Sequence, residues 1–424
     1  MSRFNSDLPV ANGKVLLVIG GGAAGFFCAI NAASRNRKLQ VILIEKTSKL
    51  LSKVRVSGGG RCNVTHACFD INEMSRNYPR GQNFVRKAFH QFSATDTISW
   101  FEERGVKLKA EKDGRMFPES DSSESVVHCL MQQANMLGIQ IRMNAEITHI
   151  STEQVGAEKR FIATLSGSNS IVANFVCVAA GGYPKSSMFN WLRQLGHSAV
   201  DPIPSLFTFN LPKHNITKLM GVSVERARVK IAGSKLKEEG PLLITHWGLS
   251  GPVVLRLSAW GARELALCNY QFSIHINWLP AFQEQQLKEQ FSAFRSHQPH
   301  KKLLNLNVFS LPARLWEFLL IESGISEESR ISDLPIKAEN LLIKHLTDYT
   351  ANVSGKTTFK EEFVTAGGIA LNEVDVNTMM SRKIPMLFFA GEILDVDGIT
   401  GGFNFQNAWT SGWISGKTIA ALSA

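Results

Sequence analysis

One segment near the start of the chain, residues 15–45, constrains the fold more than any other. A short apolar run, 15–19, ends on Gly20-Gly21-Gly22-Ala23-Ala24-Gly25, which has the spacing Gly-x-Gly-x-x-Gly. A helix pattern rich in small residues follows, and a second apolar run, 39–44, then ends on Glu45. This order of strand, glycine loop, helix, strand and carboxylate is typical of the βαβ unit that binds a dinucleotide.

Each glycine of this loop has a predicted role. We expect Gly20 to allow the tight turn, Gly22 to let the backbone approach a pyrophosphate, and Gly25 to let the helix pack closely on the strand. The N-terminus of the helix would present unpaired N–H groups to the phosphates. Glu45 can accept hydrogen bonds from an adenosine ribose and would repel a 2′-phosphate there, which disfavours NADP as the occupant.

The composition is that of an ordinary globular protein and not of a metal-binding or disulfide-rich one. The chain has 424 residues, 44% of them hydrophobic and 19% charged, enough for two or three domains. Its six cysteines form no Cys-x-x-Cys pair, which favours a reduced, cytoplasmic protein in which Cys28 and Cys177 are buried. Cys62, His66 and Cys68 offer only three metal ligands at an unfamiliar spacing, so we predict no metal site.

Neither a membrane nor a nucleic acid is the expected partner. No apolar run reaches the roughly 18 residues of a membrane span. Residues 15–30 resemble a signal-peptide core, but the glycine fingerprint and the strand after it indicate part of the fold. The net charge of +10 comes from dispersed lysines and arginines with small clusters at 35–38 and 300–302. This pattern favours a solvated basic surface that attracts anionic cofactors and substrates; the sequence leaves the oligomeric state open.

The order of secondary-structure patterns along the sequence predicts a discontinuous nucleotide-binding domain. Patterns typical of a parallel α/β sheet occupy both ends of the chain, including a wholly apolar run at 386–390 that suits a central strand. Between them, β-like and then helical patterns indicate an inserted domain. We therefore predict a doubly wound Rossmann-like α/β fold with a β-barrel-like plus helical insert. The predicted parts are 1–193, an insert at 194–354 (β part 194–278, helical part 279–352) and 355–424.

Four glycine-rich stations follow or separate the predicted strands, at 20–25, 57–60, 181–182 and 401–402. Ligands of doubly wound sheets bind at the carboxyl ends of the strands, where such loops gather. A nicotinamide dehydrogenase needs little beyond the first station, whereas a long FAD also needs a returning C-terminal segment. Residues 391–404 provide that segment, and the helix after Gly402 could direct its positive end at the flavin pyrimidine edge.

Two longer motifs carry a family resemblance. Ser57-Gly-Gly-Gly-Arg-Cys-Asn63-Val-Thr65 and the segment Ala390 to Gln406 resemble the YhiN/BaiN-like family of FAD-dependent oxidoreductases. Supporting likenesses lie at 114–118, 179–184 and 245–252, so the resemblance spans nearly the whole chain. It implies a flavin domain of the glutathione-reductase type with an inserted β-barrel and helical unit. The chain departs from the family at His66, where Asn is usual, at Ala180, where Thr is usual, and in the loop after Pro184.

The resemblance and the residues together define a set of candidate FAD contacts. The resemblance places Ser57 to Gly60, Arg61 and Asn63 beside the pyrophosphate and flavin, and three glycines there would let the backbone lie flat against a cofactor. Glu392 would bind ribityl hydroxyls. The candidates are Gly20, Gly22, Ala23, Ala24, Gly25, Glu45, Lys46, Ser57, Gly58, Gly59, Gly60, Arg61, Cys62, Asn63, Ile147, Ala180, Gly181, Gly182, Gly391, Glu392, Asp397, Gly401, Gly402, Phe403 and Asn404.

The insert offers few candidates for chemistry. His246 could supply or remove the proton that accompanies hydride transfer, because imidazole titrates near neutral pH. Arg115, in the first part of the chain, could bind an anionic substrate. Cys62 is either a redox thiol beside the flavin or a packed core residue. Phe405, Trp409 and Trp413 fit core packing better than cofactor stacking.

The sequence therefore predicts a cytoplasmic flavoenzyme with one non-covalent FAD. It would move a hydride between a small organic substrate and the flavin, with NAD(P)H or oxygen as the other electron partner. No second Gly-x-Gly-x-x-Gly is present, so NAD(P)H would act as a transient donor. The alternatives are an NAD-dependent dehydrogenase, an RNA-interacting flavoprotein, and a redox sensor without turnover.

Overall fold

The structure, a computed structural model, describes residues 13–156, 158–167, 169–358 and 364–424. By the density of internal contacts the chain divides into two compact units, Met1–Pro204 with Lys360–Ala424 and Ser205–Phe359. The domain limits predicted near 193 and 354 stay predictions, because compactness alone does not define a domain that folds by itself. Among the described residues, no helix combines the length and the apolar character needed to cross a membrane.

The helices and strands are numbered in chain order. The α-helices are α1 Ala23–Arg35, α2 Ser52–Gly60, α3 Ile71–Ser75, α4 Gln82–Phe89, α5 Ala94–Glu102, α6 Ser123–Met136, α7 Asn190–Gln194, α8 Pro252–Trp260, α9 Ala262–Leu267, α10 Glu284–His297, α11 Ala313–Glu322, α12 Ile336–Thr347 and α13 Phe403–Ser423. The strands are β1 Val15–Ile19, β2 Gln40–Ile44, β3 Thr65–His66, β4 Leu108–Ala110, β5 Arg115–Pro118, β6 Gln140–Arg142, β7 Ile147–Val155, β8 Glu158–Leu165, β9 Ser170–Ala173, β10 Phe175–Val178, β11 Ala199–Ser205, β12 Thr208–Asn210, β13 Ser223–Ile231, β14 Lys237–Ile244, β15 Gly248–Ser250, β16 Gln271–Asn277, β17 Tyr349–Ser354, β18 Lys356–Thr357, β19 Val364–Ile369 and β20 Leu387–Phe389.

The first unit is built on a five-stranded parallel sheet with the strand order β20-β10-β1-β2-β6. Its central strands are buried on both faces, as their continuous apolar sequences require. Because all five strands run in the same direction, the segments that follow β1, β2, β10 and β20 emerge at one edge. The predicted α/β fold with a parallel Rossmann-like sheet is confirmed.

The long C-terminal helix α13 packs on the first helix α1. A Cβ atom at Gly412 would lie 2.6 Å from the carbonyl oxygen of Ala24, and one at Gly416 would lie 2.6 Å from that of Cys28. Small residues at a spacing of four therefore let the two backbones approach closely. Trp409 is fully buried and lies 5.0 Å from the ring of Phe27, so the aromatic stripe packs in the core as expected.

The second unit contains a seven-stranded antiparallel sheet and the helices α8 to α12. The strand order is β17-β16-β13-β14-β15-β12-β18. In β13, outward positions alternate with buried ones such as Val229 and Ile231, which pack in a core with helical residues such as Trp316 and Leu342. The unit thus has a β part and a helical part, as the sequence predicts.

Candidate active site

The glycine loop after β1 has the backbone geometry expected of a phosphate-binding turn. Gly20 has φ +114°, and a Cβ there would lie 2.3 Å from the carbonyl oxygen of Ala179. A Cβ at Gly25 would lie 1.9 Å from the carbonyl oxygen of Gly20, so only glycine allows the helix to start this close to the strand. A Cβ at Gly22, in contrast, would meet nothing within 4 Å. Gly22 therefore has a bare backbone that faces open space, and Ala23 and Ala24 begin α1 directly behind it.

Glu45 follows β2 and lies against this loop. Its Oε2 accepts a hydrogen bond from the amide of Gly21 at 2.9 Å, and its Oε1 accepts from the amide and hydroxyl of Thr47. The carboxylate is thus oriented toward the fingerprint, while Lys46 is exposed beside it. Ile147, at the start of β7, is half-buried. Binding of an adenosine ribose by these residues stays a prediction.

The second glycine station lies at the end of α2. The backbone leaves helical angles at Ser57, and Gly58, Gly59 and Gly60 all have positive φ values. Gly58 packs on the ring of Phe117, where a Cβ would come within 2.7 Å. Gly59 and Gly60 are exposed, and a Cβ at either would meet nothing within 4 Å. The result is a strip of bare backbone supported from beneath by an aromatic ring.

The two arginines predicted to bind anions share one carboxylate. Arg61 pairs with Glu111 at 2.6 Å and lies 3.9 Å over the ring of Phe117. Its hydrogen bond to Glu111 raises the pKa of the guanidinium. Arg115 pairs with Glu111 at 2.9 Å and with Asp113 at 2.7 Å. Each guanidinium is held by protein carboxylates, so binding of an external anion would compete with these pairs.

The residues after the second station connect it to the C-terminal segment. Cys62 is fully buried, and burial raises the pKa of its thiol to about 12. With its amide nitrogen toward the carbonyl oxygen of Thr65 (3.0 Å), the Asn63 side chain accepts a hydrogen bond from the amide of Gly402 (2.9 Å). A Cβ at Gly402 would lie 2.5 Å from the carbonyl oxygen of Thr65. The two glycine segments are therefore in direct contact.

His66, a position where this chain departs from the family, also contacts the C-terminal segment. Its ring stacks on Phe403 with the centroids 4.8 Å apart, and its Nε2 donates to the carbonyl oxygen of Asp113 at 3.1 Å. Gly401 lies next to the same ring, since a Cβ at Gly401 would be 3.5 Å from Cδ2 of His66. Burial lowers the pKa of His66. The imidazole is therefore part of the packing under the 401–403 turn.

The third station, after β10, faces Glu392. Ala180, Gly181 and Gly182 are half-buried, and a Cβ at Gly182 would lie 2.8 Å from Oε1 of Glu392. The Glu392 carboxylate accepts hydrogen bonds from Nζ of Lys53 at 2.6 Å and from the amide of Thr365 at 2.9 Å. A polar group bound here would thus meet a carboxylate already oriented by a lysine and a backbone amide.

The C-terminal segment is held in place by its own polar side chains. The amide of Gly391 donates to Ser411 Oγ at 2.8 Å. Asp397 is fully buried and its carboxylate is bound by Arg80, with Nε 2.6 Å from Oδ1. The Asn404 carboxamide donates to and accepts from the backbone of Gly398 at 2.8 Å. Asp397 and Asn404 thus shape the turn; whether they also touch a cofactor stays a prediction.

The helix α13 begins inside this turn. Gly402 occupies the N-cap position with φ +93° and provides no side-chain cap, so first-turn N–H groups remain available. The carbonyl oxygen of Phe403 accepts a hydrogen bond from the Tyr78 hydroxyl at 2.6 Å. A helix N-terminus in this position carries a partial positive charge, which would stabilise negative charge on a bound group.

His246 lies in the second unit, beyond strand β14. Its side chain is exposed, and its ring packs edge-to-face on Trp247 with centroids 4.1 Å apart. An exposed imidazole can exchange protons with solvent or substrate. The role of His246 as an acid or base stays a prediction.

Several residues of the site could not be identified from the sequence. Lys53, Glu111 and Thr365 lie outside every recognised motif, yet they contact Glu392, Arg61 and Arg115. Arg80 and Tyr78 likewise hold the C-terminal turn from a distant part of the chain. No sequence signal marks these residues, because what relates them to the motifs is proximity in space, and that is known only once the fold is known.

The described residues fit an FAD. The Cβ positions of Gly22, Gly59 and Gly60 all face open space, as an extended ligand with a pyrophosphate requires. Oγ1 of Thr365 is buried near Gly182 and makes no hydrogen bond within the part of the chain that the structure describes. No group of three or more His, Cys, Asp and Glu side chains in that part could hold a metal ion.

Comparison with known proteins decides the family. The sequence matches the family described as HI0933-like protein Rossmann domain over residues 14–418. The chain belongs to the HI0933-like family. The resemblance found in the sequence is confirmed, and with it the expectation that the protein is an FAD-dependent oxidoreductase.

Three relatives of this family member match over nearly their full length. Proteins named ribosomal RNA dihydrouridine synthase, from Escherichia coli (strain K12) and Haemophilus influenzae, are 30% and 29% identical. They cover 96% and 95% of this chain, and the match spans 98% of each relative. A 3-dehydro-bile acid delta(4,6)-reductase from Clostridium scindens is 27% identical over 95% of this chain and 98% of its own.

Solved structures support the fold of this HI0933-like protein. A 3-ketosteroid-delta4-(5alpha)-dehydrogenase from Rhodococcus jostii RHA1 has a TM-score of 0.51 at 13% identity and covers 98% of both chains. A 3-ketosteroid delta1-dehydrogenase from Sterolibacterium denitrificans has a TM-score of 0.51 at 12% identity, covering 97% of this chain and 100% of its own. At these identities the likeness shows the fold alone.

Proposed function

We propose that this protein reduces a carbon–carbon double bond conjugated to a carbonyl group, and that its substrate is a uridine of ribosomal RNA. The full-length similarity to two relatives named ribosomal RNA dihydrouridine synthase carries the proposal. Dihydrouridine is uridine whose C5–C6 double bond, conjugated to the C4 carbonyl, has been reduced. The expectation against a nucleic-acid partner rested on dispersed cations, and the names of these relatives outweigh it.

The reaction requires a hydride, a proton and a reductant. A bound FAD in its reduced form would supply a hydride to C6 of uridine, and NAD(P)H would be the electron donor. A protein group or water then gives a proton to C5, which closes the atom balance. The exposed His246 is our candidate for that proton donor. A cytoplasmic location is part of the proposal, because ribosomal RNA and NAD(P)H are found there.

Specific residues would hold the cofactor. Gly22 and the 57–60 strip would lie against its pyrophosphate, and Glu45 would accept hydrogen bonds from its adenosine ribose. Glu392, oriented by Lys53, would accept from ribityl hydroxyls. The N-terminus of α13 would stabilise negative charge on the reduced ring. Arg115 would contact substrate phosphate only after leaving Glu111 and Asp113.

A second candidate substrate is a steroid-like enone. The relative named for bile acids reduces double bonds conjugated to a ketone, which is the same class of reaction. The net charge of +10 favours RNA over this candidate, because a polyanion gains more from a basic surface.

One experiment tests both candidates. FAD-loaded protein is incubated without oxygen with NADH or NADPH and an unmodified ribosomal RNA transcript, and the digested RNA is analysed for dihydrouridine by mass spectrometry. We expect product with the wild-type chain and a large loss of rate with His246→Asn. A 3-keto-4-ene steroid is assayed in parallel. Reduction of the steroid without any dihydrouridine would replace our first candidate by the second.

A further inference from the structure

The antiparallel sheet of the second unit has an outward face made of polar residues. In β13 the residues Val224, Ala227, Val229 and Ile231 point into the core, so Arg228 and Lys230 point outward. The alternation continues in β16 and β17, where Ile274, Ile276, Ala351 and Val353 are buried. The outward positions of these neighbouring strands form the outer sheet face: Arg226, Arg228, Lys230, Lys237, Glu239, Ser273, His275, Asn277, Thr350 and Asn352.

The strand register places cations in a row across this face. Lys230 of β13 lies directly opposite Lys237 of β14 on one side and His275 of β16 on the other. His275 in turn lies opposite Thr350 of β17. Directly opposed residues have Cβ atoms about 5 Å apart, so the side chains of Lys230, Lys237 and His275 leave the sheet from adjacent positions.

The acidic residues nearby pair with cations other than Lys230 and Lys237. Asp348 lies 2.8 Å from Nδ1 of His275, so the imidazole of the row already has a carboxylate partner. Glu239 accepts hydrogen bonds from Arg226 and Arg228, and the bond from Arg226 is the main cause of its lowered pKa. Glu238 pairs with Arg256 of α8 at 3.0 Å. Among the residues that the structure describes, neither Lys230 nor Lys237 forms an ion pair. Because like charges directly opposed across a sheet are destabilising, this lysine pair is not explained by the fold.

We propose that the outer sheet face binds the sugar-phosphate backbone of RNA. The inference rests on the proposed function and adds the surface that holds the substrate. Lys230 and Lys237 would neutralise phosphates, whereas Ser273, Asn352 and Thr350 offer hydroxyl and amide groups suited to ribose. None of the outward positions of β13, β16 and β17 is Phe, Tyr or Trp, and the one imidazole, His275, is bound by Asp348, so this face contacts the backbone and does not stack on bases.

A charge-reversal pair with a matched control tests the proposal. The variant Lys230→Glu with Lys237→Glu is compared with Lys288→Glu and Lys337→Glu, exposed lysines of α10 and α12 that give the same change in net charge. Binding of a fluorescent ribosomal RNA fragment is followed by anisotropy over a range of salt concentrations. Plots of the logarithm of the association constant against the logarithm of the salt concentration have a negative slope. Loss of two phosphate contacts should make that slope less steep by about 1.4 and weaken binding about 20-fold near 0.1 M salt.

The single variant Lys230→Glu separates binding from stability. It replaces a repulsive lysine pair by an attractive one, so its melting temperature should stay the same or rise while RNA affinity falls. All variants should keep the flavin absorbance and the rate of flavin reduction by NAD(P)H. Equal affinity of the sheet-face and helix variants would overturn the proposal, since general charge and not this face would then bind RNA.

The outcomes also separate this inference from the proposed function. If the wild-type chain forms dihydrouridine and the sheet-face variant binds RNA with unchanged affinity, the surface is wrong and the function stands. If RNA binds in the expected manner but no dihydrouridine forms, the function is wrong and the surface stands. Absence of RNA binding by the wild-type chain at low salt would overturn both.

Discussion

The roles of single glycines in the fingerprint can be separated by matched substitutions. Gly22→Ala adds a methyl group that meets no protein atom, at a residue with φ −94°, so the free energy of unfolding should change by less than about 0.5 kcal/mol. The same methyl group would occupy the space of the pyrophosphate. We expect the dissociation constant for FAD to rise at least tenfold, about 1.4 kcal/mol, as measured by flavin fluorescence.

Gly25→Ala is the control, because there the methyl group would lie 1.9 Å from the carbonyl oxygen of Gly20. It should lower the melting temperature of the chain with or without FAD. If Gly22→Ala lost stability to the same extent as Gly25→Ala, the open space beside Gly22 would not be a ligand site.

Burial makes Cys62 an unreactive thiol. Because its pKa is raised to about 12 in the folded chain, it remains protonated at mildly alkaline pH. Iodoacetamide should therefore label the exposed Cys268 in the native protein and label Cys62 only after denaturation, as peptide mapping by mass spectrometry would show. Rapid native labelling of Cys62 would instead support a redox thiol beside the flavin.

The same pKa shift predicts how stability depends on pH. The pKa of Cys62 is higher in the folded chain than the roughly 8.5 of an unfolded thiol. The contribution of Cys62 to the free energy of unfolding is therefore complete at pH values below the pKa of the unfolded thiol. It is lost as the pH rises toward the pKa of the folded one. Cys62→Ala should reduce the alkaline loss of stability in this window, measured by urea denaturation at a series of pH values.

Among the elements, the C-terminal turn depends on a buried ion pair. Arg80, with 12% of its side chain exposed, binds the fully buried Asp397. Arg80→Met would leave a buried carboxylate without this partner and should cost about 3–5 kcal/mol of unfolding free energy. Adding Asp397→Asn removes the charge as well, so the double variant should be more stable than Arg80→Met alone.

The same double variant separates structure from cofactor contact. If Asp397 only shapes the turn, FAD affinity should follow stability and recover in part in the double variant. If Asp397 binds FAD directly, affinity should stay low although stability recovers. Urea denaturation and flavin fluorescence on the same samples distinguish these results.

Elements with strong local signals could be predicted from the sequence, whereas their contacts could not. The strand–loop–helix unit at 15–35, the apolar strand within 386–390 and the helix after Gly402 all follow from periodicity and glycine spacing. The 57–60 segment also follows local propensity, because the backbone leaves helical angles at Ser57 and Gly58, Gly59 and Gly60 all have positive φ values. Local propensity therefore predicted the elements, whereas it carried no information on which of them are in contact.

Site residues outside the motifs depend on contacts between distant parts of the chain. Arg80 and Asp397 are 317 residues apart, and Lys53 and Glu392 are 339 apart. No local pattern links such pairs, so neither Lys53 nor Arg80 could be assigned to the site from the sequence. Asp397, a predicted cofactor contact, is a buried carboxylate, and the sequence does not reveal that Arg80 is its partner.

At the scale of the whole molecule, both ends of the chain belong to one compact unit. The β1 and β20 strands lie in one parallel sheet, and α13 packs on α1. A ligand that reaches from the first glycine loop to the C-terminal turn should therefore stabilise both ends together. Binding to the native state alone adds about 2.7 kcal/mol at a ligand concentration one hundred times the dissociation constant.

Hydrogen exchange measured by mass spectrometry can detect this coupling. Added FAD should slow exchange at 20–25, 57–63 and 391–404 together, because one extended ligand would contact all three segments. ADP is the matched control, since it carries the adenosine and both phosphates but no ribityl or flavin. It should protect 20–25 and leave 391–404 unchanged. Protection of 20–25 alone by both ligands would contradict a flavin site at the C-terminal turn and would favour a nucleotide site confined to the first βαβ unit.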